Sequence, residues 1–384
     1  MIQLPQLKTA LVHDWLTGLR GGEKVLDVFG QLFPTAPIFT LLYNRGSVSP
    51  SIEAHPVFTS FIDRLPGKKS KYRHYLPLFP LAIEQFNFKD FQLILSSSHC
   101  AAKGIITPPD ALHISYLHTP MRYVWDMYHD YFGPDKASWL TRKIIPWFAH
   151  YLRAWDVTSS NRVDWFIANS RHVALRIKKY YGREAVIIHP PVDTTQFQIS
   201  HKPGQYFLVV SALVPYKRTD LAIAAFNQIG EKLIVVGSGP ELPRLKKMAR
   251  SNIEFVDWQP PQKLSEYYSE CKALIFAGEE DFGIVPVEAM ACGKPVLAYA
   301  RGGALETVIE QTNETRQQSS GLYFREQTIP SLIQTVNKFS ESEWDPEFIA
   351  RHARRFDRTI FQKKITDFIQ GKCNEFFDRS HPRS

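Results

Sequence analysis

Two glutamates, Glu280 and Glu288, lie eight positions apart around a glycine turn, Phe282-Gly283-Ile284, which leads from a predicted strand into a short predicted helix. A glycine turn at a helix start presents backbone N–H groups that bind phosphate or another anion. A carboxylate beside that anion can accept hydrogen bonds from vicinal hydroxyls. The stretch predicts a ligand with phosphate and polyol parts, such as a nucleotide sugar. The turn carries this prediction, because a glutamate pair at this spacing alone arises about once by chance.

Two adjacent cations, Lys217 and Arg218, stand between a predicted strand at 206–210 and a predicted helix at 220–229 that Thr219 is expected to cap. A cation at a strand's carboxyl end can neutralise a leaving diphosphate, and losing one such donor typically raises a barrier by ~2.7–4 kcal/mol. The alternative is a solvent-facing pair. Because a helix N-terminus disfavours cations, the pair indicates a bound anion.

His118 directly follows another predicted strand, and Pro120 fixes the turn after it. Its imidazole could contact a sugar hydroxyl or a backbone group, and the alternative is a structural histidine bonded within its own loop. An aromatic cluster follows, which could line an acceptor site or form a buried wall. Its members are Tyr123, Trp125, Tyr128, His129 and Tyr131.

Three glycine turns follow other strands. Gly21-Gly22 resembles an anion-binding turn at a helix start, and Gly237-Ser238-Gly239 stands where a nucleoside could lie. Gly302-Gly303 could likewise be an anion-binding turn or an ordinary turn. Glycine also serves ordinary turns, so each motif is weak alone. Trp258 could stack on the base, and the alternative is a partly buried structural tryptophan.

Several motifs are absent from the sequence: an Asp-x-Asp pair for a metal-bound diphosphate, a P-loop, a Gly-x-Ser-x-Gly elbow and a His-Glu-x-x-His pair. Neither a metal nor a cofactor is therefore expected, and ATP hydrolysis is not predicted. No apolar run is long enough to span a membrane, and no secretory signal is evident. Four scattered cysteines are typical of buried, reduced thiols. These features predict a cytoplasmic enzyme.

The net charge of +8 is uneven, since residues 1–195 hold 22 Lys and Arg against 15 Asp and Glu. The densest part runs from Arg64 to Arg73, and aromatic and leucine side chains interleave and follow it. Such a strip could contact an anionic membrane surface or a lipid-linked phosphate. Nucleic acid and plain solvation are the alternatives.

Strands alternate with helices through both halves, which predicts parallel sheets covered on both faces. The prolines at 190 and 191 mark an extended linker. We expect an N-terminal acceptor-binding domain at 1–190, a C-terminal nucleotide-sugar domain at 191–359, and a tail helix at about 360–384 that packs back on the first. The predicted fold is α/β, with two doubly wound Rossmann-like domains facing a cleft. The expected strands are 9–13, 92–96, 113–117, 164–168, 186–188, 206–210, 233–236, 253–256, 273–276 and 295–298.

Together these motifs resemble family four of the retaining glycosyltransferases with the GT-B fold, and they match in order over nearly the whole chain. The matching residues are Gly21-Gly22, 98–104, His118, Lys217, 237–240, 280–288 and Gly302-Gly303. The likeness is greatest to bacterial enzymes of surface polysaccharide synthesis. Many members have an arginine where this chain has Ala212, so Arg218 or Arg301 is expected to supply that charge, or one cation suffices.

The resemblance implies that Lys217 contacts the donor diphosphate, Glu288 the ribose, Glu280 with Phe282–Ile284 the sugar or its phosphate, and His118 the sugar near O6. It implies metal-independent transfer with retention by front-face attack, without a side-chain nucleophile. UDP-glucose and GDP-mannose are the two leading donors, and the acceptor is lipid-linked or an oligosaccharide. A nucleotide-sugar epimerase or phosphorylase of the same fold, or a basic nucleic-acid or membrane-binding protein, is the alternative.

Overall fold

The computed structural model describes residues 4–126, 139–201, 204–316 and 318–380. The chain divides into two compact units. Unit 1 comprises Met1–Pro190 together with Phe361–Ser384, and unit 2 comprises Pro191–Ile360. Each unit is an α/β domain with its own sheet and its own hydrophobic cores.

Unit 1 is built on a sheet of seven parallel strands. They are β1 (Thr9–His13), β2 (Ile38–Thr40), β3 (Val57–Thr59), β4 (Leu93–Ser98), β5 (Leu112–Leu117), β6 (Trp165–Ala168) and β7 (Ala185–Ile187). Their order is β3-β2-β1-β4-β5-β6-β7, so the direction of winding reverses between β1 and β4. In open α/β sheets, ligands bind outside the carboxyl ends of the strands at such a switch point.

Helices cover both faces of this sheet, and the central strands are buried throughout. The helices are α1 (Gly21–Leu32), α2 (Pro50–Glu53), α3 (Lys68–Lys71), α4 (Phe79–Glu84), α5 (Trp139–Ser160) and α6 (Arg171–Tyr181). Two apolar clusters result, one centred on Leu11 and Leu93 and the other on Val12 and Ile94. Successive residues of one strand enter opposite clusters because strand side chains alternate between the faces.

Unit 2 repeats the design with six parallel strands. They are β8 (Tyr206–Val210), β9 (Leu233–Val236), β10 (Ile253–Val256), β11 (Cys271–Phe276), β12 (Val296–Tyr299) and β13 (Gly321–Phe324). The order β10-β9-β8-β11-β12-β13 places the switch point between β8 and β11.

The helices of unit 2 enclose two further apolar clusters. They are α7 (Thr219–Ile229), α8 (Leu242–Met248), α9 (Pro261–Glu270), α10 (Ile284–Ala291), α11 (Ala304–Thr307), α12 (Ile329–Ser340) and α13 (Pro346–Ala353).

The last helix, α14 (Arg358–Ser380), begins in unit 2 and belongs to unit 1 from Phe361 onward. Phe361, Ile365, Ile369 and Cys373 recur every four residues and are buried in the same cluster as β1 and β4. This spacing places them along one helix face. None of the described helices is long and apolar enough to cross a membrane.

The structure differs from the sequence predictions at several elements. Strands β2, β3 and β13 were not predicted: β2 directly follows Pro37, and β3 is a largely exposed strand at the sheet edge. Pro146 was expected to kink or split the helix around it, and it lies inside the single helix α5. Thr219 is the first residue of α7, and Arg218, in a left-handed conformation with φ 52°, occupies the N-cap position. The segment from Arg64 to Arg73 consists largely of helical turns.

Candidate active site

Lys217 and Glu280 meet at the switch point of unit 2, just beyond the carboxyl ends of β8 and β11. Their side chains form an ion pair and are only 16% and 19% exposed, respectively. Both line a small pocket together with Thr219. Gly278 permits the approach of the two loops, since a Cβ there would lie 2.9 Å from the Cα of Lys217. The structure therefore brings two predicted site residues into direct contact.

The glycine turn after β12 supports the same site. The Gly303 N–H donates to the carbonyl oxygen of Glu280 at 2.8 Å, and a Cβ on Gly302 would lie 2.2 Å from that oxygen. This turn holds the Glu280 loop by its backbone. The neighbouring Arg301 is exposed. The Arg218 guanidinium is bound to Asp220 and Gln327, each at 3.3 Å.

The residues between the two glutamates have separate tasks. The Phe282 ring is buried and packs against Phe356 with centroids 5.5 Å apart. Gly283, with φ 87°, is the N-cap of α10, which Ile284 begins and which no side chain caps. The first N–H groups of a helix have no partner within the helix, so this end can bind an anion.

Glu288 lies on α10, one turn beyond its start, and is partly buried. The hydroxyl of buried Tyr268 donates to Glu288 Oε2 at 2.9 Å. Burial, followed by the adjacent Glu288 carboxylate, raises the pKa of Tyr268 well above its ordinary value. Tyr268 thus remains a hydrogen-bond donor and orients the carboxylate, a role that the sequence alone did not reveal.

The glycines at 237 and 239 are required by packing against the loop after β8. A Cβ would lie 1.9 Å from the Ser211 carbonyl oxygen at Gly237 and 2.4 Å from the Leu213 carbonyl oxygen at Gly239. Only glycine fits so close to another backbone. Trp258, just past β10, is 68% exposed, so the expectation of a partly buried structural tryptophan was wrong.

In unit 1, His118 and Gly22 lie together at the carboxyl ends of the strands. Ser97 Oγ lies 2.9 Å from His118 Nε2 and 3.3 Å from the Gly22 carbonyl oxygen. A Cβ on Gly22 would lie 3.6 Å from the same Nε2. Desolvation, followed by His99 and His13, lowers the pKa of His118 well below its ordinary value. Its imidazole is therefore neutral at pH 7.

Asp14 is a further polar centre at this switch point that the sequence reasoning missed. It is fully buried and accepts the four consecutive backbone N–H groups of residues 99–102 at 2.5–3.0 Å. His99 Nδ1 lies 3.0 Å from Asp14 Oδ2. Burial opposes the charged form, but His99 and the N–H donors hold the pKa of Asp14 well below its ordinary value. A polar residue directly after each of two buried strands is the signal that could have found this pair.

His13, the last residue of β1, was also missed. It is fully buried, and neither ring nitrogen has a hydrogen-bond partner among the described residues. Its Nε2 lies 3.9 Å from the carboxylate of Glu23, and its Cε1 would lie 3.1 Å from a Cβ on Gly22. Burial lowers the pKa of His13, although Glu23 partly opposes the shift.

The aromatic cluster is divided by the structure. Trp125 donates from Nε1 to buried Asp156 at 2.8 Å and stacks on Tyr180 with centroids 4.5 Å apart. This favours the buried-wall alternative for Trp125. Tyr128, His129 and Tyr131 lie outside the described residues.

Among the residues that are described, no group of three or more His, Cys, Asp or Glu could hold a metal ion.

The unit 2 site lies within a stretch that matches a known family. The model for glycosyl transferases group 1 matches residues 192–356. This stretch of unit 2 is therefore similar to group 1 glycosyl transferases. Lys217, Glu280 and Glu288 all lie within it.

Two proteins of similar sequence are also glycosyltransferases. A GDP-mannose-dependent alpha-(1-6)-phosphatidylinositol monomannoside mannosyltransferase of Mycolicibacterium smegmatis is 30% identical over 175 residues, which are 37% of this chain and 45% of that protein. The alpha-1,3/1,6-mannosyltransferase alg2 of Schizosaccharomyces pombe is 28% identical over 354 residues, 79% of this chain and 66% of that one. The chain spans about half the length of the first relatives that it matches.

The fold agrees over almost the whole chain. The crystal structure of Anabaena HepE in complex with UDP superposes with a TM-score of 0.68 at 18% identity, covering 94% of this chain and 100% of that one. The predicted fold class, two doubly wound Rossmann-like domains of the GT-B type, is confirmed. The stretch that matches the group 1 model lies in the second of these domains.

Proposed function

We propose that this protein is a glycosyltransferase that moves glucose or mannose from a nucleotide-diphospho-sugar to an acceptor hydroxyl. The Lys217–Glu280 ion pair at the switch point of unit 2 is the observation that carries this proposal. The start of α10, which no side chain caps, lies four positions after Glu280 and adds N–H donors that can bind a phosphate. The GDP-mannose dependence of the Mycolicibacterium relative and the UDP in Anabaena HepE support a nucleotide sugar as donor.

In the proposed reaction, Lys217 stabilises the charge that develops on the leaving diphosphate. Glu280 binds the transferred sugar, and Glu288 binds the ribose hydroxyls. The neutral imidazole of His118 forms a hydrogen bond with the sugar, either as donor or as acceptor. The acceptor oxygen attacks the anomeric carbon on the same face of the sugar from which the phosphate departs. The bond between that carbon and the phosphate oxygen breaks, and the leaving phosphate takes the acceptor's proton. Configuration is thereby retained, without a metal or a protein nucleophile.

The acceptor is proposed to be lipid-linked or an oligosaccharide of envelope polysaccharide synthesis. A lipid-linked acceptor lies at a membrane surface, which is consistent with a peripheral contact through the basic segment from Arg64 to Arg73. The cationic side chains of Arg64, Lys71 and Arg73 are exposed in this segment.

A screen of UDP- and GDP-sugars for thermal stabilisation and for slow donor hydrolysis tests the donor. We expect one nucleotide to stabilise the parent and to lose that effect in Lys217→Ala and Glu288→Ala. Normal turnover by both folded variants would contradict the proposal. Incubation with the donor alone, followed by NMR, distinguishes an epimerase, which would release an isomerised sugar.

A further inference from the structure

Helix α5 has two apolar stripes, and only one faces the core of unit 1. The inner stripe includes Ala149 and Leu152, which are buried with the rest of their cluster. The outer stripe follows the i, i+3, i+4, i+7 spacing of one helix face. It consists of Ile144, Trp147, Phe148 and Tyr151, which are 47%, 78%, 44% and 46% exposed, respectively.

The outer stripe is a face of its own. At 100° per residue its centre lies roughly 120° around the helix from the inner stripe, so it does not serve the same packing. Four large apolar side chains in register on one exposed face differ from the single exposed apolar residues that are normal on soluble surfaces. Trp and Tyr are the residue types enriched where an apolar phase meets water.

Helix α4 extends this apolar face. Trp155 of α5 donates from Nε1 to Glu84 of α4 at 2.8 Å, and both helices contribute to the same apolar cluster. Phe79 of α4 is buried in that cluster, whereas Leu81, and Leu78 just before the helix, are 53% and 39% exposed. The outer surface of the α4–α5 pair is therefore apolar on both helices.

Positive charge adjoins this surface in the chain. Lys71, Arg73 and His74 are exposed in the turns that lead into α4. Tyr72, between them, is buried and anchors these turns to the cluster. Basic side chains beside exposed aromatic and leucine side chains complement an anionic lipid surface, where phosphates lie above the acyl boundary.

We propose that the outer stripe of α5, with Leu78 and Leu81, inserts into the headgroup region of an anionic bilayer while Lys71 and Arg73 contact lipid phosphates. This deepens the proposed peripheral contact by assigning its apolar half to α5, which the basic segment alone did not indicate. The inference needs no donor. A chain that binds vesicles but transfers no sugar would overturn only the proposed function.

Co-sedimentation with phosphatidylcholine vesicles, with and without about one-third phosphatidylglycerol, tests the proposal. We expect the parent to bind the anionic vesicles, and the double variant Trp147→Asp/Phe148→Asp to bind at least about tenfold less, because both apolar anchors are lost. Leu175→Asp is the matched control, since Leu175 is 64% exposed on α6 of the same unit. Equal loss in this control, or no loss in the double variant, would overturn the proposal.

A charge-reversal pair separates the electrostatic part. The double variant Lys71→Glu/Arg73→Glu should weaken vesicle binding at low salt. The control is Lys246→Glu/Lys247→Glu, which changes the net charge equally at exposed positions of unit 2 and should leave vesicle binding unchanged. Thermal unfolding of each variant checks that it is folded. A stable dimer that Trp147→Asp/Phe148→Asp dissolves, or RNA binding without vesicle binding, would instead assign the surface to another partner and overturn the proposal.

Discussion

The ammonium of Lys217 is paired with the carboxylate of Glu280 across the switch point between β8 and β11. A nucleoside diphosphate that binds Lys217 would compete with this carboxylate for the ammonium group. Lys217→Ala should lower transfer about 10²–10³-fold, the range for losing one charge-stabilising donor. Glu280→Gln should also lower transfer, yet it should bind the free nucleoside diphosphate about fivefold more tightly, because the competing charge is removed.

Isothermal titration with the product nucleotide measures the binding, and initial rates measure the transfer. Lys272→Ala is a matched control, because Lys272 is paired with Glu231 at 2.6 Å elsewhere in the same domain. Weaker nucleotide binding by Glu280→Gln would contradict the competition between the two anions.

Tyr268→Phe removes only the hydroxyl that donates to Glu288. A hydrogen bond to a charged group contributes about 1.5–3 kcal/mol, so the donor KM should rise about tenfold or more. The value of kcat should change less, because Glu288 is proposed to hold the ribose and not the reacting atoms. Tyr206→Phe removes a hydroxyl bonded to a backbone carbonyl at 3.1 Å, and its KM should match that of the parent.

Trp258→Ala should weaken the binding of the preferred nucleotide, because an exposed indole past β10 can stack on a base. Loss of one stacking partner corresponds to about 1–3 kcal/mol, or roughly 5- to 160-fold in Kd. The comparison of nucleoside diphosphate with pyrophosphate separates the base from the phosphates. A parallel loss for pyrophosphate would place the effect on the phosphates and contradict stacking.

Asp14→Asn should destabilise unit 1 by about 3 kcal/mol or more, as expected when one partner of a buried charged network is removed. Each carboxylate oxygen of Asp14 accepts two backbone N–H groups. An amide nitrogen in place of one oxygen would face two donors. Urea unfolding followed by tryptophan fluorescence measures the change, and exposed Asp110→Asn should have little effect.

His113 predicts a pH dependence of stability. Burial lowers the pKa of His113 to about 4, and its Nε2 lies 2.8 Å from Ser96 Oγ. Because the unfolded state binds a proton near pH 6.5 and the folded state does not, stability should fall as the pH drops from about 6.5 to 4, by about 3 kcal/mol for this group. His113→Gln should flatten that part of the curve. Urea titrations between pH 7 and 4.5 measure the free energy of unfolding at each pH. The same pH dependence in His113→Gln and in the parent would contradict this account.

Local patterns in the sequence were enough for much of the fold. The apolar runs of β1 and β8 lie at their predicted positions, because a strand buried on both faces is an uninterrupted apolar segment. The glycine turn before α10 was also readable, since a positive φ at Gly283 demands glycine. Strand β2 was not, because it directly follows Pro37, and proline is typical of turns and loops.

The sequence by itself determined the residue types of the unit 2 site: a cation after β8, and two carboxylates around a turn after β11. Only the tertiary structure decided which residues touch. Asp14 and His99 are 85 positions apart, and they meet because β1 and β4 are neighbours at the switch point. It also decided that one apolar stripe of α5 faces the core and the other faces solvent. Periodicity identifies an apolar face, but burial depends on which element packs against it.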